Sequence, residues 1–207
     1  MTFKLRYLLL LLSGTLFVNS TILLAKSRGE AVFHQCTYCH GAKGEGNDSV
    51  AAPAIAGLPE WYVLSQLKNF RSGVRGKHPR DLPGLRMISM ARTLRLDSDL
   101  TAVAKVVAEL PAVKATPTFK GDVAAGKSGY AVCLACHGAQ GQGNKALNAP
   151  PLTGRADWYI VSQLENFKNG RRGYDPTDAV AATMIPMAKV LNKKAMHDVA
   201  AYIQTLQ

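Results

Sequence analysis

Apolar positions along this chain form one long N-terminal run and then short helical stripes separated by loops rich in Gly, Ala and Pro. The N-terminus carries Lys4 and Arg6, followed by an apolar run from Tyr7 to Val18 that resumes at Ile22, Leu23 and Leu24. A basic start, an apolar centre and small residues near the exit are the layout of an export signal. Cleavage is expected after Ser20 or Ala25. Neither site is a clean A-x-A, so an uncleaved membrane anchor over residues 1–25 is the alternative. Further on, Val63, Leu67 and Phe70 recur at i, i+4 and i+7, which predicts an amphipathic helix over Glu60–Ser72 stopped by Gly73. Residues 29–39 read as a short helix, 41–57 as a loop, 76–86 as a Pro-containing loop, and 97–110 as a closing helix with Asp97 as its cap. No stretch has a convincing strand pattern, so the fold class expected is all-α.

The chain then matches itself at a constant spacing of 97 residues, Gly29 to Leu94 against Gly126 to Leu191, with close to half the positions identical. Pro53 falls on Pro150, Trp61-Tyr62 on Trp158-Tyr159, Gln66 on Gln163, Arg75 on Arg172, and Met87 and Met90 on Met184 and Met187. Such self-similarity marks a duplicated unit. After Leu94 the match slips by one residue, pairing Leu100 with Met196 and Val103-Ala104 with Val199-Ala200. In the second unit helices are expected over 157–169 and near 193–206, with a loop at 173–182. Pro111, Pro117 and Gly121 mark a linker. The expected organisation is a leader or anchor at 1–25, a first domain at 26–110, a linker at 111–122 and a second domain at 123–207. Units this small have difficulty building a sufficient core from side chains alone, so a buried group completing each core is expected, and the units without it should fold poorly.

Within the repeat lies the stretch with the most specific chemistry. It reads Cys36-Thr37-Tyr38-Cys39-His40 and again Cys133-Leu134-Ala135-Cys136-His137, and it uses all four cysteines of the chain. This C-x-x-C-H pattern is that of covalent c-type haem attachment: Cys36 and Cys39, or Cys133 and Cys136, add to one porphyrin edge, and His40 or His137 supplies the proximal nitrogen. A zinc site built from the four cysteines would not need the two matching histidines, and a redox dithiol would be expected within a βαβ pattern. Two covalently bound haem c groups are therefore expected. The formal charge of +11 and pI near 9.7 suit acidic partners or an anionic membrane face. No arginine-rich run with interleaved aromatics argues for nucleic acid. His34 and His197, without counterparts in the other unit, read as surface residues. His78, opposite Asp175, is a weak competitor as an axial ligand.

Each unit also offers a methionine pair, and a thioether on the open face of the iron would raise its potential. Core packing competes for these residues, and only one sulfur can reach each iron. Here the chain resembles the diheme cytochromes c of the cytochrome c4 type, tandem class I cytochrome c domains. The resemblance covers both units. It rests on the C-x-x-C-H motifs, on Pro53-Ala54-Ile55-Ala56-Gly57 and Pro150-Pro151-Leu152-Thr153-Gly154, on Tyr62, Gln66 and Leu67 with Tyr159, Gln163 and Leu164, and on methionines ahead of Leu94 and Leu191. It implies Met87 and Met184 as axial ligands, seven residues before those leucines. It implies Pro53 and Pro150 carbonyls holding the ring nitrogens of His40 and His137. It implies close helix crossings at Gly29 with Phe33 and Gly126 with Tyr130, near Val106 and Tyr202. Arg75 and Arg172 would meet haem propionates, a solvated loop arginine being the competing reading, while Trp61, Tyr62, Trp158 and Tyr159 read as core.

Those expectations define an exported, periplasmic two-haem electron carrier, not an enzyme, serving a terminal oxidase, a quinol-oxidising complex or a dehydrogenase. The alternatives are an electron-transfer subunit of a larger dehydrogenase and a haem enzyme with one open iron.

Overall fold

The computed structural model describes residues 28–206; the expected leader or anchor at 1–25 lies outside them. The described residues are helical and contain no strand, only isolated bridges pairing Asn47 with Ala52 and Asn144 with Ala149. The all-α expectation holds. Helix α1 covers residues 28–40. It is followed by α2 (Glu60–Ser72), α3 (Leu82–Thr93) and α4 (Asp97–Glu109). The second half repeats the order with α5 (Val123–His137), α6 (Asp157–Lys168), α7 (Ala179–Ala182), α8 (Met184–Lys189) and α9 (Lys193–Gln204). Among the described residues no helix is long and apolar enough to cross a membrane.

Helix α2 has the bounds its periodicity implies, and Gly73 ends it in the left-handed region. Three local expectations need correction, one being the loop expected over 173–182, whose last four residues form α7. The loop expected to Arg86 ends early, because Asp81 caps α3 by accepting from the Gly84 N–H, and Pro83 sits in the first turn, where its missing N–H costs nothing. Asp97 is not a cap: it is the first residue of α4, and its carboxylate pairs with Arg71. In the second half the counterpart of α3 is split into α7 and α8. Pro186, where the first half has Ser89, cannot donate to the carbonyl four residues back, so the helix does not run through.

Each half has its own apolar core. The first gathers Val32, Phe33, Leu58, Leu94, Leu100, Val103, Val106 and Val107, with a satellite of Phe70, Ile88 and Ala91. The second gathers Tyr130, Ile160, Val161, Leu164, Phe167, Leu191, Met196, Val199 and Ile203 among others. In both, the first and last helices cross at a glycine. A Cβ on Gly29 would stand 2.5 Å from the Ala102 carbonyl oxygen and 2.8 Å from Val106 Cγ2, and one on Gly126 would overlap the Asp198 carbonyl outright. The Tyr130 and Tyr202 rings pack beside the second crossing at 5.4 Å. Between the halves run hydrogen bonds from Arg75, Arg155 and Arg172 and one from Asn69 to Asp178.

Gly126→Ala therefore forces α5 away from α9 and should cost about 2 to 3 kcal/mol of stability in the haem-loaded protein, against about 1 to 2 kcal/mol for Gly29→Ala. Guanidinium melts of the two variants measure this, and wild-type midpoints for both would refute the close crossings.

Candidate functional site

Helix α1 ends on His40 and α5 on His137, so each C-x-x-C-H motif forms the last turn of a helix. Spacing of three residues puts the two thiols of each motif on neighbouring turns of one face. Cys36 and Cys133 are half-buried, Cys39 and Cys136 are exposed, and none is in a disulfide. Burial pushes the Cys36 and Cys133 thiols up to about 11. That is opposite in sign to a reactive dithiol, whose thiolate is stabilised. Among the described residues no group of three or more His, Cys, Asp or Glu side chains is placed to hold a metal ion, so a shared zinc site has no geometry.

Both histidines are buried and oriented alike. The His40 Nδ1 lies 2.7 Å from the Pro53 carbonyl oxygen and the His137 Nδ1 2.8 Å from that of Pro150. A carbonyl only accepts, so Nδ1 carries the proton and Nε2 keeps its lone pair. Burial lowers the pKa of both rings, and the hydrogen bond to proline opposes this only in part. The loop that returns each proline to its histidine is itself closed by hydrogen bonds. Gly46 N–H donates to the His40 carbonyl at 2.7 Å, Asn47 and Ala52 exchange both backbone bonds, and Ile55 N–H reaches Gly44. Gly143, Asn144, Ala149 and Leu152 repeat the pattern in the second half.

The methionines of each pair differ in environment. Met87 is half-buried against Phe70, Ile88 and Ala91, whereas Met90 is 40% exposed. Met184, the first residue of α8, is half-buried against the second core, whereas Met187 is 37% exposed. Each half thus offers two thiols, one oriented imidazole and one inward thioether, a donor set that fits one covalently held haem. His34 is exposed and meets Tyr38 edge-on, and His197 packs on the Phe119 ring at 4.4 Å. His78 faces Tyr174 of the other half at 6.3 Å.

Arg75 and Arg172 are buried where the halves meet. Arg75 donates to Gln66 at 2.7 Å in its own half, and to the Tyr159 hydroxyl and Gln163, both at 3.1 Å, in the other. Arg172 mirrors this, reaching Gln163 at 2.9 Å, Tyr62 at 3.3 Å and Gln66 at 3.2 Å. Each guanidinium also lies over a phenyl ring, Arg75 on Phe70 and Arg172 on Phe167. Burial raises the Tyr62 phenol, but the cations of Arg172 and Arg75 outweigh it and hold its pKa below the ordinary value. Burial likewise works against the Arg75 cation, and Tyr159 and Tyr62 outweigh it, raising its pKa. The tyrosines, read from sequence as core, thus put their hydroxyls into the junction. The signal was present: Tyr62 and Gln66, one turn apart, form a polar stripe on α2 that α6 repeats.

Comparison with known proteins agrees with this geometry. The family model for cytochrome c matches residues 27–108 and 123–207. A protein of Thiomonas intermedia called thiosulfate dehydrogenase electron acceptor is 34% identical over 176 residues, 79% of this chain and 75% of that one. The structure of a thiosulfate dehydrogenase from Marichromatium purpuratum superposes with a TM-score of 0.71 at 30% identity, over 87% of this chain; this chain spans 40% of that one. Reduced recombinant cytochrome c4 from Pseudomonas stutzeri superposes with a TM-score of 0.67 at 27% identity, over 87% of this chain and 97% of that one.

Two haems per chain are expected from a pyridine haemochrome assay on protein matured with a cytochrome c assembly system. Replacing Cys36 and Cys39 by alanine should reduce the count to one, as should replacing Cys133 and Cys136. Retention of two haems in either double variant would contradict the assignment.

Proposed function

This chain belongs to the cytochrome c family, as a diheme electron-transfer protein of the cytochrome c4 type with two covalently bound haem c groups, and from that premise we propose that it accepts electrons from an exported thiosulfate-oxidising dehydrogenase. The observation that carries this reading is the 34% identity to the protein named as electron acceptor of thiosulfate dehydrogenase, supported by the likeness to the dehydrogenase structure. The domains are residues 26–110 and 123–207, joined by 111–122, and the protein works in the periplasm. A free carrier role toward a terminal oxidase or from a quinol-oxidising complex is the second reading, favoured by the likeness to cytochrome c4.

In each domain the bound haem supplies a one-electron ferric–ferrous couple. His40 and His137 would hold the iron through Nε2, their rings fixed by Pro53 and Pro150. Met87 and Met184 would supply the second protein ligand to each iron, as the half-buried member of each pair, Met90 and Met187 being the more exposed. A thioether favours the ferrous state and closes the iron to small ligands. This supports electron transfer rather than catalysis at an open iron. Arg75 and Arg172 would pair with haem propionates, a role supported by the Arg172 Nε, a buried donor with no partner among the described residues.

Two measurements test this. Carbon monoxide should leave the spectrum of dithionite-reduced wild-type protein unchanged, Met87→Ala should bind about one carbon monoxide per chain, and Met90→Ala none. Binding by the wild type would move the reading to a haem enzyme. In stopped flow, ferric protein should be reduced by thiosulfate only when purified thiosulfate dehydrogenase is present. Failure there, with rapid reduction by a quinol-oxidising complex, would assign the second reading.

A further inference from the structure

The repeat is uneven in charge along one segment. From Lys68 to Leu94 the first half has seven basic residues and one acidic, whereas the matching stretch from Glu165 to Leu191 has four and three. Lys68 stands opposite Glu165, Lys77 opposite Tyr174, Arg80 opposite Thr177 and Arg86 opposite Thr183. Lys68, Lys77, Arg80, Arg86 and Arg92 are all exposed. The same segment is also more apolar on its outside. Leu82 is 66% exposed and Leu85 is exposed beside it, where the second half has Ala179 and Ala182.

These residues share one surface. On α3 the buried positions are Gly84, Ile88 and Ala91, so Leu82, Leu85, Arg86 and Arg92 fall on the sides turned away from the core. Arg92 donates to the Arg71 carbonyl at 3.4 Å, and Arg71 donates to that of Leu94 at 3.2 Å, which ties the end of α2 to the end of α3. Few carboxylates compete for this charge. Asp81 is buried and caps α3, and Asp97 is paired with Arg71. Lys77 lies toward Asp175 of the second half, whose carboxylate is favoured first by Thr177 and then by this lysine. Lys68, Arg80, Arg86 and Arg92 are in none of the ion pairs among the described residues. Exposed leucines set among arginines without carboxylate partners have the composition of a protein interface, an apolar centre with a charged rim. Solubility alone would call for the charges and not for the leucines. The surface also lies close to the first site. Met87 is on the same helix as Arg92, about 8 Å away along its axis.

We propose that this face of the first domain is where an acidic surface of the electron-donating protein docks, and that electrons enter the chain at the first-domain haem. In the docked complex the reduced centre of the donor loses one electron and the ferric first-domain iron gains it. The proposal rests on the reading of this chain as acceptor for a thiosulfate-oxidising dehydrogenase.

The test is stopped-flow reduction of the ferric two-haem protein by purified thiosulfate dehydrogenase and thiosulfate, followed over a range of ionic strength. One variant combines Lys68→Glu, Arg80→Glu and Arg92→Glu. A control combines Lys105→Glu, Lys127→Glu and Lys145→Glu, exposed lysines elsewhere on the chain, and changes the net charge equally. The wild-type second-order rate constant should fall as salt is added. The first triple variant should lower it by about 10- to 100-fold at low salt and remove most of the salt dependence, and the control should lower it by less than about 3-fold. Leu82→Ala with Leu85→Ala should slow reduction at high salt as well, where steering is screened. Equal slowing in both triple variants would assign the effect to net charge, and greater slowing in the control would move docking elsewhere; either overturns the proposal. Unchanged reduction of the first triple variant, with two haems retained, overturns it too, and loss of that variant's binding to phosphatidylglycerol vesicles would then make the face a membrane contact. A wild type that the dehydrogenase does not reduce would overturn the donor reading and this docking face together, whereas a wild type and first triple variant reduced equally fast would overturn the docking face alone.

Discussion

A buried imidazole fixed by a carbonyl thirteen residues downstream is the constraint on which each half depends. The donor and acceptor sit at opposite ends of a loop, and the loop holds its course because every turn of it closes a backbone bond. His40 is thus shaped from both directions. Helix α1 delivers it at the helix end, one residue after the second thiol, and the loop delivers the Pro53 oxygen to its Nδ1. A proline carbonyl suits this role because its residue has no N–H to satisfy at the same place. The same geometry recurs in the second half, where the residues that make these bonds, Gly46, Asn47 and Ala52 with Pro53, are kept as Gly143, Asn144 and Ala149 with Pro150.

The second organising feature is electrostatic. Apolar cores form within the halves, and the junction between them is polar, with three buried arginines facing tyrosine hydroxyls, glutamine oxygens and backbone carbonyls. Desolvating cations is expensive, and none of the three is in an ion pair among the described residues, although the Asp81 carboxylate favours the Arg75 cation. The junction offsets part of that cost through bonds to the amides, phenols and aromatic faces. The proposed propionate contacts would supply the missing negative charge, so assembly of the junction and loading of the two domains would support each other.

What the sequence disclosed follows the range of the forces involved. Local periodicity and a stopping glycine were enough for α2, and the repeat transferred that helix to α6. The motifs and their histidines were legible because covalent chemistry imposes a fixed spacing. The start of α3 was hidden because Pro83 was taken as a breaker, although a proline in the first turn favours a helix, and the capping role of Asp81 needed geometry to be seen. Asp97 was misassigned because an acidic residue serves equally well at the cap and in the first turn. The crossed network of Arg75 and Arg172 could not be read at all, since it joins residues more than 80 positions apart. Even so, repetition of the same Tyr, Gln and Arg in both units was a sign that they act together.

Duplication supplies two equal sites and, at a nearly two-fold junction, two equal sets of contacts. Equality is a poor property for a chain that moves electrons in one direction, because an electron shared evenly between identical sites has no preferred exit. A difference can arise in the axial ligands, in burial, or in charge at the junction. The ligand sets proposed here are the same in both halves, and the histidine bonds differ by only 0.1 Å. At the junction the halves do differ: Leu58, a core residue of the first half, stands where the second half has Arg155, buried and donating to the Ala54 and Ala56 carbonyls.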